Sequence, residues 1–306
     1  MGKTKISWTD YTWNPVWGCY GGCDYCYARG IAKRFAKPIA QREGDYFNEY
    51  LEEEFEFIRD FKPSLLMHRF DIQFPKNAKR IFVNSMSDLA FWHKASILMV
   101  IDKIKKNPDK IFQILTKFPE QLTGYEFPDN VWIGITAENQ KNLSERFPAF
   151  SKIKAGKHFI SFEPLQEKIN VKMLNWHNNS FYQILEPITN CGDSNRIAPD
   201  WFIIGCQTGI NRVKIDNQLI FDLIYQIKNN SKIPIFVKQM EIDGVIVKEN
   251  LPDEYNYREF PISATNKNRF VNRKEAYQIA FNANQIIVPN KGYPINSIGL
   301  TSEYLY

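Results

Sequence analysis

The chain has 306 residues, enough for one large domain or for a large domain with a small appendage. Its 44% hydrophobic and 24% charged residues are ordinary for a globular protein, and its net charge of +5 permits a nucleic-acid partner without requiring one. The start has no apolar signal-peptide segment, and no apolar run approaches the roughly 18 residues that cross a bilayer. We therefore expect a cytoplasmic protein without a membrane partner.

The first predicted elements form a strand–loop–helix unit. Residues 7–17 are aromatic and extended in character, and Pro15 disfavours a helix there, so we expect a first strand. After the loop, residues 28–35 have the apolar spacing of a helix, which is predicted to end at Pro38.

The loop between them carries three of the five cysteines within eight residues. Cys19, Cys23 and Cys26 are spaced four and then three apart, and Gly21 and Gly22 lie between the first pair. Glycines tolerate positive φ, so this backbone can curl inward and direct three thiolates at one small volume. Three soft ligands with no local fourth indicate an iron–sulfur cluster with one open iron.

Zinc, a disulfide and inert thiols are the alternatives to a cluster. A structural zinc site needs a fourth Cys or His nearby, but the nearest histidine is His68, and Cys191 and Cys206 lie far downstream without forming a knuckle. A disulfide would leave one of the three clustered cysteines over, and nothing in the sequence indicates export.

Residues 39–79 are predicted to be an insertion that covers one side of the domain. Residues 54–57 alternate like a strand, and residues 64–69 resemble a short helix capped by Ser64.

From residue 80 onward, short apolar runs alternate with helical segments. The predicted strands are residues 80–84, 111–116, 131–136, 158–162, 201–205 and 234–237, and the predicted helices are residues 91–106, 137–153 and 217–229. Runs that are apolar at successive positions suit parallel strands buried on both faces, and their alternation with helices implies βαβ units. We therefore predict an α/β domain over residues 1–261, an open or closed barrel of parallel strands.

The last part of the chain differs in character. A polar linker at residues 263–268 precedes one predicted helix at residues 271–284 and a turn-rich end. We expect residues 262–306 to form a small C-terminal appendage, packed on the barrel or presented to a partner.

Polar groups follow the predicted strands at the point where each strand ends. They are residues 85–88, 116–117, 136–139, 161–164 and 205–209. Because the carboxyl ends of parallel strands meet at one rim, these groups are predicted to surround a ligand site.

The cysteine pattern, Cys-x3-Cys-x2-Cys with Tyr25 before the last cysteine, resembles the signature of the radical SAM superfamily. The wider sequence is similar to one branch of it, a largely uncharacterised family common in phages and mobile elements and related to spore photoproduct lyase-like proteins. The segments that carry this closer resemblance are residues 7–10, 12–15, 26–28, 82–89, 162–165 and 237–239. The resemblance extends over about residues 3–261.

The resemblance implies a partial (β/α)6 barrel and an enzyme with two cofactors. Cys19, Cys23 and Cys26 would hold a [4Fe-4S] cluster, and its open iron would chelate the amine and carboxylate of S-adenosyl-L-methionine (SAM). A reductant protein of the flavodoxin or ferredoxin type would supply an electron for reductive cleavage of SAM. The resulting 5′-deoxyadenosyl radical would take a hydrogen atom from the substrate.

The resemblance also implies which groups contact the methionine part of SAM. The segment after the second strand usually meets the amine, and here it contains Ser85, Ser87 and Asp88 in place of the usual Gly-Gly-Glu-like sequence. Backbone carbonyls of this segment, together with Asp88, are the candidates. Lys117 is the predicted counter-charge to the methionine carboxylate.

Four further residues are candidates for the rest of the ligand. Thr136 or Glu138 would accept from the ribose hydroxyls, and Tyr25 would stack near the adenine. Glu163 would face either the cofactor or the substrate.

Cys206 follows the sixth strand at the rim, where it could face the substrate and return a hydrogen atom. The alternative is a small buried residue beside Gly205. A nucleic acid or nucleotide is the predicted substrate, with a peptide or protein as the alternative. Two other functions stay open: a metal- or cluster-bearing nucleic-acid-binding module without catalysis, and a degenerate barrel that works with a partner through residues 263–306.

Overall fold

The computed structural model describes residues 1–48, 52–171, 174–176, 180–182, 199–209 and 212–261. The chain divides into two compact units, Met1–Phe260 and Pro261–Tyr306. Every element of the described residues belongs to the first unit. The predicted appendage at residues 262–306 and Cys191 lie outside the described residues.

Short strands and helices alternate along the first unit. The strands are β1 (Gly2–Lys3), β2 (Tyr11–Thr12), β3 (Val16–Trp17), β4 (Ser64–Leu65), β5 (Arg80–Phe82), β6 (Ile111–Thr116), β7 (Val131–Thr136), β8 (Lys157–Phe162), β9 (Leu174–Trp176), β10 (Ser180–Tyr182), β11 (Trp201–Gly205), β12 (Ile235–Ile242) and β13 (Val245–Val247). The α-helices are α1 (Tyr27–Phe47), α2 (Glu52–Arg59), α3 (Met67–Phe70), α4 (Lys94–Lys105), α5 (Gln140–Phe150) and α6 (Asn217–Asn230). None of the helices in these described ranges is both long enough and apolar enough to cross a membrane.

Nine strands form one sheet in the order β1-β2-β5-β6-β7-β8-β11-β12-β13. The seven strands from β2 to β12 are parallel to their neighbours, while β1 and β13 add an antiparallel strand at each edge. Each apolar run that was predicted after residue 80 forms a strand of this sheet. The predicted α/β class with parallel strands is therefore confirmed.

The sheet is buried on both faces. Every residue of β7 and of β11 is buried, so neither strand shows the alternation of a half-exposed strand. On one face, Ile133 and Ile135 pack in the largest core cluster, which also contains apolar residues of α4, α5 and α6. Side chains of the opposite parity, such as Trp132, point to the other face.

Aromatic side chains fill that other face and show that the sheet is curved. The indole of Trp8 packs on Phe82 of β5, with ring centroids 4.8 Å apart, and on Trp201 of β11 at 6.2 Å. Strands β5 and β11 are four steps apart, about 19 Å in a flat sheet. One indole can contact both rings only because the sheet bends around it.

The opening strand is shorter than predicted. Residues 7–17 contain two separate pieces, and β2 joins the sheet beside β5 while β3 leaves it to pair with β4. Between them, Trp13 is fully buried and its indole N–H donates to the carbonyl of Arg69 at 2.8 Å. This contact fixes the chain at the point where it leaves the sheet, between β2 and β3 and before the cysteine loop.

The predicted end of the first helix at Pro38 was wrong. Helix α1 continues through Pro38 to Phe47, so the predicted start of an insertion at residue 39 falls inside a helix. Ile39 and Ala40 lie beyond the proline in one buried cluster with Ile58 of α2. This packing outweighs the roughly 3 kcal/mol that an interior proline costs a helix.

Two further predictions in the same region were wrong. Residues 54–57 belong to α2, because Phe55 and Ile58 have the three-residue spacing that lets a helix pack against α1. Ser64 does not cap a helix, since it pairs with Trp17 in the β3–β4 ribbon, and α3 begins only after Leu66.

The carboxylate of Glu43 joins α1 to α3. It is 2% exposed, and it accepts hydrogen bonds from the backbone N–H groups of Met67 at 2.6 Å and His68 at 3.1 Å. The imidazole Nδ1 of His68 lies 2.5 Å from the second oxygen. Burial by itself would raise the pKa of Glu43, but these hydrogen bonds outweigh it and hold the pKa below its usual value.

We expect Glu43→Gln to lower the free energy of unfolding at neutral pH by about 1–3 kcal/mol, since buried donors lose a charged acceptor. A carboxyl with a lowered folded-state pKa stabilises the protein above the unfolded pKa, near 4.5, and this contribution is lost as the pH falls through the folded value. The difference in the free energy of unfolding between wild type and Glu43→Gln should therefore become smaller below about pH 4.5. Denaturant unfolding across pH measures it. The exposed Glu126, which pairs with Lys154, gives the control Glu126→Gln with nearly unchanged stability.

Candidate functional site

The loop with the three cysteines is held between the β3–β4 ribbon and the end of β5. The backbone N–H of Gly18 donates to the carbonyl of Met86 at 3.2 Å, and that of Cys19 donates to Phe61 at 2.9 Å. Gly18 has φ of 102°, and a Cβ there would lie 2.1 Å from the carbonyl oxygen of Lys62. Only glycine fits at this position, one residue before the first cysteine.

The rest of the loop is a tight turn that leads into α1. Gly22 has φ of 66°, as predicted, whereas Gly21 keeps an ordinary φ. The N–H of Gly21 donates to Cys19 Sγ at 3.2 Å, and the N–H of Cys26 donates to the carbonyl of Cys23 at 3.1 Å. Cys26 is the residue that immediately precedes α1, so the third thiol is attached to the start of a long helix.

A cavity of about 290 Å³ lies at the carboxyl ends of the parallel strands and brings together eleven of the twelve predicted site residues. They are Cys19, Cys23, Tyr25, Cys26, Ser85, Ser87, Asp88, Lys117, Thr136, Glu163 and Cys206. The twelfth, Glu138, lines an adjoining cavity of about 450 Å³, which shares Cys23, Tyr25 and Lys117 with the first.

The three cysteines are free thiols and half-buried on the wall of the first cavity. Burial raises the pKa of Cys19 to about 11, and the charges of Asp88, Cys23 and Cys26 contribute in the same direction. Within the described part of the chain, no three His, Cys, Asp or Glu side chains are already grouped closely enough to hold a metal ion.

Lys117 connects the cysteine loop to the carboxylate of Glu138. Its ammonium donates to Glu138 Oε1 at 2.6 Å, to Cys23 Sγ at 3.4 Å and to the hydroxyl of Tyr25. The same ammonium lies 4.3 Å from the centre of the Tyr25 ring. Burial, followed by the charge and hydrogen bond of Glu138, raises the pKa of Tyr25, so this phenol stays protonated. Its O–H donates to Glu138.

The second oxygen of Glu138 accepts from Asn142 at 2.8 Å and from Arg146 at 2.7 Å. Burial opposes ionisation, but Lys117 and Arg146 outweigh it and lower the pKa of Glu138 to about 2. Four donors thus occupy both oxygens. This leaves Glu138 no acceptor site for the ribose hydroxyls predicted from the sequence. Its position indicates that it orients Lys117 and Tyr25.

Asp88 keeps one acceptor site. It is 6% exposed and accepts from the hydroxyl of Thr116 at 2.7 Å and from the N–H groups of Ala90 at 3.1 Å and Lys117 at 2.8 Å. A carboxylate offers about four acceptor sites, so one remains toward the cavity. Burial raises the pKa of Asp88 although these hydrogen bonds oppose the shift.

The two serines beside Asp88 are held by neighbours. The hydroxyl of Ser85 and the amide of Asn14 exchange hydrogen bonds of 3.0 and 3.1 Å, and Tyr27 donates to the carbonyl of Ser85 at 2.7 Å. The hydroxyl of Ser87 accepts from the indole N–H of Trp92 at 3.1 Å. Both side chains are thereby oriented at the edge of the cavity.

A second ion pair joins the end of β8 to the middle of β12. The carboxylate of Glu163 accepts from the ammonium of Lys238 and from the amide of Gln239 at 2.8 Å. Glu163, Lys238 and Cys206 all line the first cavity. Cys206 is 3% exposed, and burial, followed by the charge of Glu163, raises the pKa of its thiol to about 11.

Lys238 and Arg146 are site residues for which no role was predicted from the sequence. Lys238 directly follows the predicted strand at residues 234–237, so reading the rim residue of this last strand as well would have found it. Arg146 carries no such signal, since it lies within helix α5 and reaches Glu138 only through the fold.

Comparison with known proteins identifies two stretches of the chain. Residues 264–306 are similar to a family described as phage T4 y16D protein. Neither the curated proteins nor the solved structures gave a match. A family described as a protein of unknown function, DUF5131, matches residues 3–260. Because this match covers well over half of the chain, and all of the site described above, the protein belongs to the DUF5131 family.

Proposed function

We propose that this protein is a radical SAM enzyme in which Cys19, Cys23 and Cys26 hold a [4Fe-4S] cluster. The observation that carries the proposal is the shared cavity at the carboxyl ends of the parallel strands. Three free thiols from one loop line it, together with polar groups from the ends of five strands, β5, β6, β7, β8 and β11. In sheets of this type, ligands bind at that edge.

The residues present fit the implied cofactors. In a cluster each thiolate binds a different iron, so three half-buried thiols on one cavity wall are a suitable donor set with one iron left open. The curved sheet supports a partial barrel around the site, open between β1 and β13. When bound, the cluster would supply the electron that cleaves the sulfonium carbon–sulfur bond of SAM. The 5′-deoxyadenosyl group released by this cleavage would then remove a hydrogen atom from the substrate.

The chain's own residues position the ligand and balance its charges. Asp88 has one free acceptor site for the ammonium of SAM. Lys117 and Lys238 are candidate partners for its carboxylate, each already held by a glutamate, Glu138 or Glu163. Hydrogen bonds fix both ammonium groups before the ligand arrives, which lowers the entropic cost of binding.

A nucleic acid or a nucleotide is the substrate class that we favour. The net charge of +5 and the 15% aromatic content permit it. An exposed ring within the cysteine loop adds support, since Tyr20 is 63% exposed and packs edge-on against Phe91.

Anaerobic reconstitution with iron and sulfide tests the proposed activity. We expect about four irons per chain and, after reduction in the presence of SAM, 5′-deoxyadenosine and methionine. Adding DNA, RNA or cell extract should identify the substrate by increased deoxyadenosine formation. A protein that carries zinc and takes up no iron would contradict the proposal.

Cys206 is the candidate that returns a hydrogen atom to the substrate radical; its S–H bond breaks, and the resulting thiyl radical is restored to the thiol by one electron from the reductant protein and one proton from solvent. Its raised pKa keeps the sulfur protonated at neutral pH, as a hydrogen donor requires. We expect Cys206→Ala to retain iron and SAM cleavage but to lose at least about tenfold in product formation, measured against the substrate found above. Full turnover with an unaltered product would remove Cys206 from this role.

A further inference from the structure

A third cavity, of about 350 Å³, is lined in part by Asn14, close to the cysteine cavity. Its walls include Thr12, Arg42, His68 and Arg69. Asn14 forms a wall of this cavity and also bonds to Ser85 of the first one. The two cavities are therefore neighbours, but this one contains none of the cysteines.

Two side-chain nitrogens at this cavity are buried without a partner. Neither Arg69 Nε nor His68 Nε2 has a hydrogen-bond partner among the described residues, although both atoms are inaccessible to solvent. Burying such a group without a partner costs about 1–3 kcal/mol, and more when the group is charged. Both atoms are closed off from the cavity, so a ligand there would contact the outer nitrogens of the Arg69 guanidinium.

The charges at the cavity are unbalanced. The guanidinium of Arg69 lies 4.8 Å above the ring of Trp17, which holds it in place. Burial and the like charge of Arg42 both lower the pKa of Arg69, and the one carboxylate that opposes them is Glu43. The carboxylate of Glu43 is already engaged by the backbone N–H groups of Met67 and His68 and by the imidazole of His68. Within the described residues no carboxylate forms an ion pair with Arg42 or Arg69.

We propose that this cavity binds a phosphate group, held by Arg69 and Arg42. A guanidinium presents paired N–H donors that match two phosphate oxygens, and one anion would supply the missing negative charge. The hydroxyl of Thr12 and the amide of Asn14 can complete its hydrogen bonds. The volume exceeds that of a phosphate, so the group belongs to a larger molecule, either a nucleotide or a nucleic-acid strand.

This site is independent of the proposed radical chemistry, because its residues and its test do not involve the cluster. Purified full-length protein without added iron is titrated calorimetrically with inorganic phosphate, a nucleoside monophosphate and a short single-stranded oligonucleotide. We expect saturable binding of all three. Tighter binding of the oligonucleotide would assign the phosphate to a nucleic acid, and tighter binding of the monophosphate would assign it to a nucleotide.

Arg69→Gln is expected to weaken phosphate binding roughly tenfold or more, since a charged bidentate contact is lost. Arg42 lies on the exposed side of α1, so Arg42→Gln should weaken binding without affecting the fold. Arg59→Gln is the matched control, because Arg59 is an exposed arginine of α2 that pairs with Glu56 and Asp60. Absence of phosphate binding to the wild type, or equal weakening by Arg59→Gln and Arg42→Gln, would overturn the proposal.

Discussion

Replacing Cys23 with alanine should lower the iron retained after anaerobic reconstitution at least about tenfold and abolish 5′-deoxyadenosine formation. Loss of an outer-shell partner alone typically costs a metal site 10- to 100-fold in affinity, so loss of a thiolate ligand should cost no less. The same result is expected for Cys19→Ala and Cys26→Ala, because all three thiols line one cavity wall. Iron analysis and the deoxyadenosine assay measure both effects.

Cys206→Ala is the matched control for iron content. It removes a thiol from the same cavity, but one that comes from the end of β11 and not from the cysteine loop. Its iron content should equal that of the wild type. If Cys23→Ala also kept its iron and its activity, the cysteine loop would not be the cluster site, and the proposed function would lose its basis.

Gly18→Ala should lower the free energy of unfolding by at least about 3 kcal/mol. The φ of 102° is unfavourable for alanine, and the added Cβ would lie 2.1 Å from the carbonyl oxygen of Lys62. Relief requires the backbone on one side to move, which would displace Cys19. Chemical denaturation should therefore show lower stability, and any folded fraction should bind less iron.

Gly30→Ala provides the comparison for this substitution. Gly30 is exposed within α1, and a Cβ there would meet nothing within 4 Å. Alanine is the better helix former, so Gly30→Ala should stabilise the protein by about 0.5–1 kcal/mol. If the two alanine variants had the same stability, the close contact between Gly18 and Lys62 would not hold the cysteine loop.

The parallel strands could be predicted because their signal is local. Strands that are buried on both faces are apolar at consecutive positions, as in residues 202–204, and this pattern is legible without knowing the neighbours. The first helix was misjudged because Pro38 is also a local signal, whereas the packing of Ile39 and Ala40 against Ile58 is not. A pattern within one segment does not reveal the energy gained from another.

The same distinction holds for the site. The spacing of Cys19, Cys23 and Cys26, and the polar residues that follow each strand, were determined by the sequence itself, because parallel strands bring their carboxyl ends to one rim whatever their order. What Glu138 can do was decided only in the tertiary structure, where four donors fill its oxygens. The cavity lined by Arg42 and Arg69 was likewise decided only in the tertiary structure, because these two residues lie on different helices and meet only when α1 packs on α3. Hydrogen-bond saturation and charge balance depend on distances between remote residues, and sequence spacing does not encode those distances.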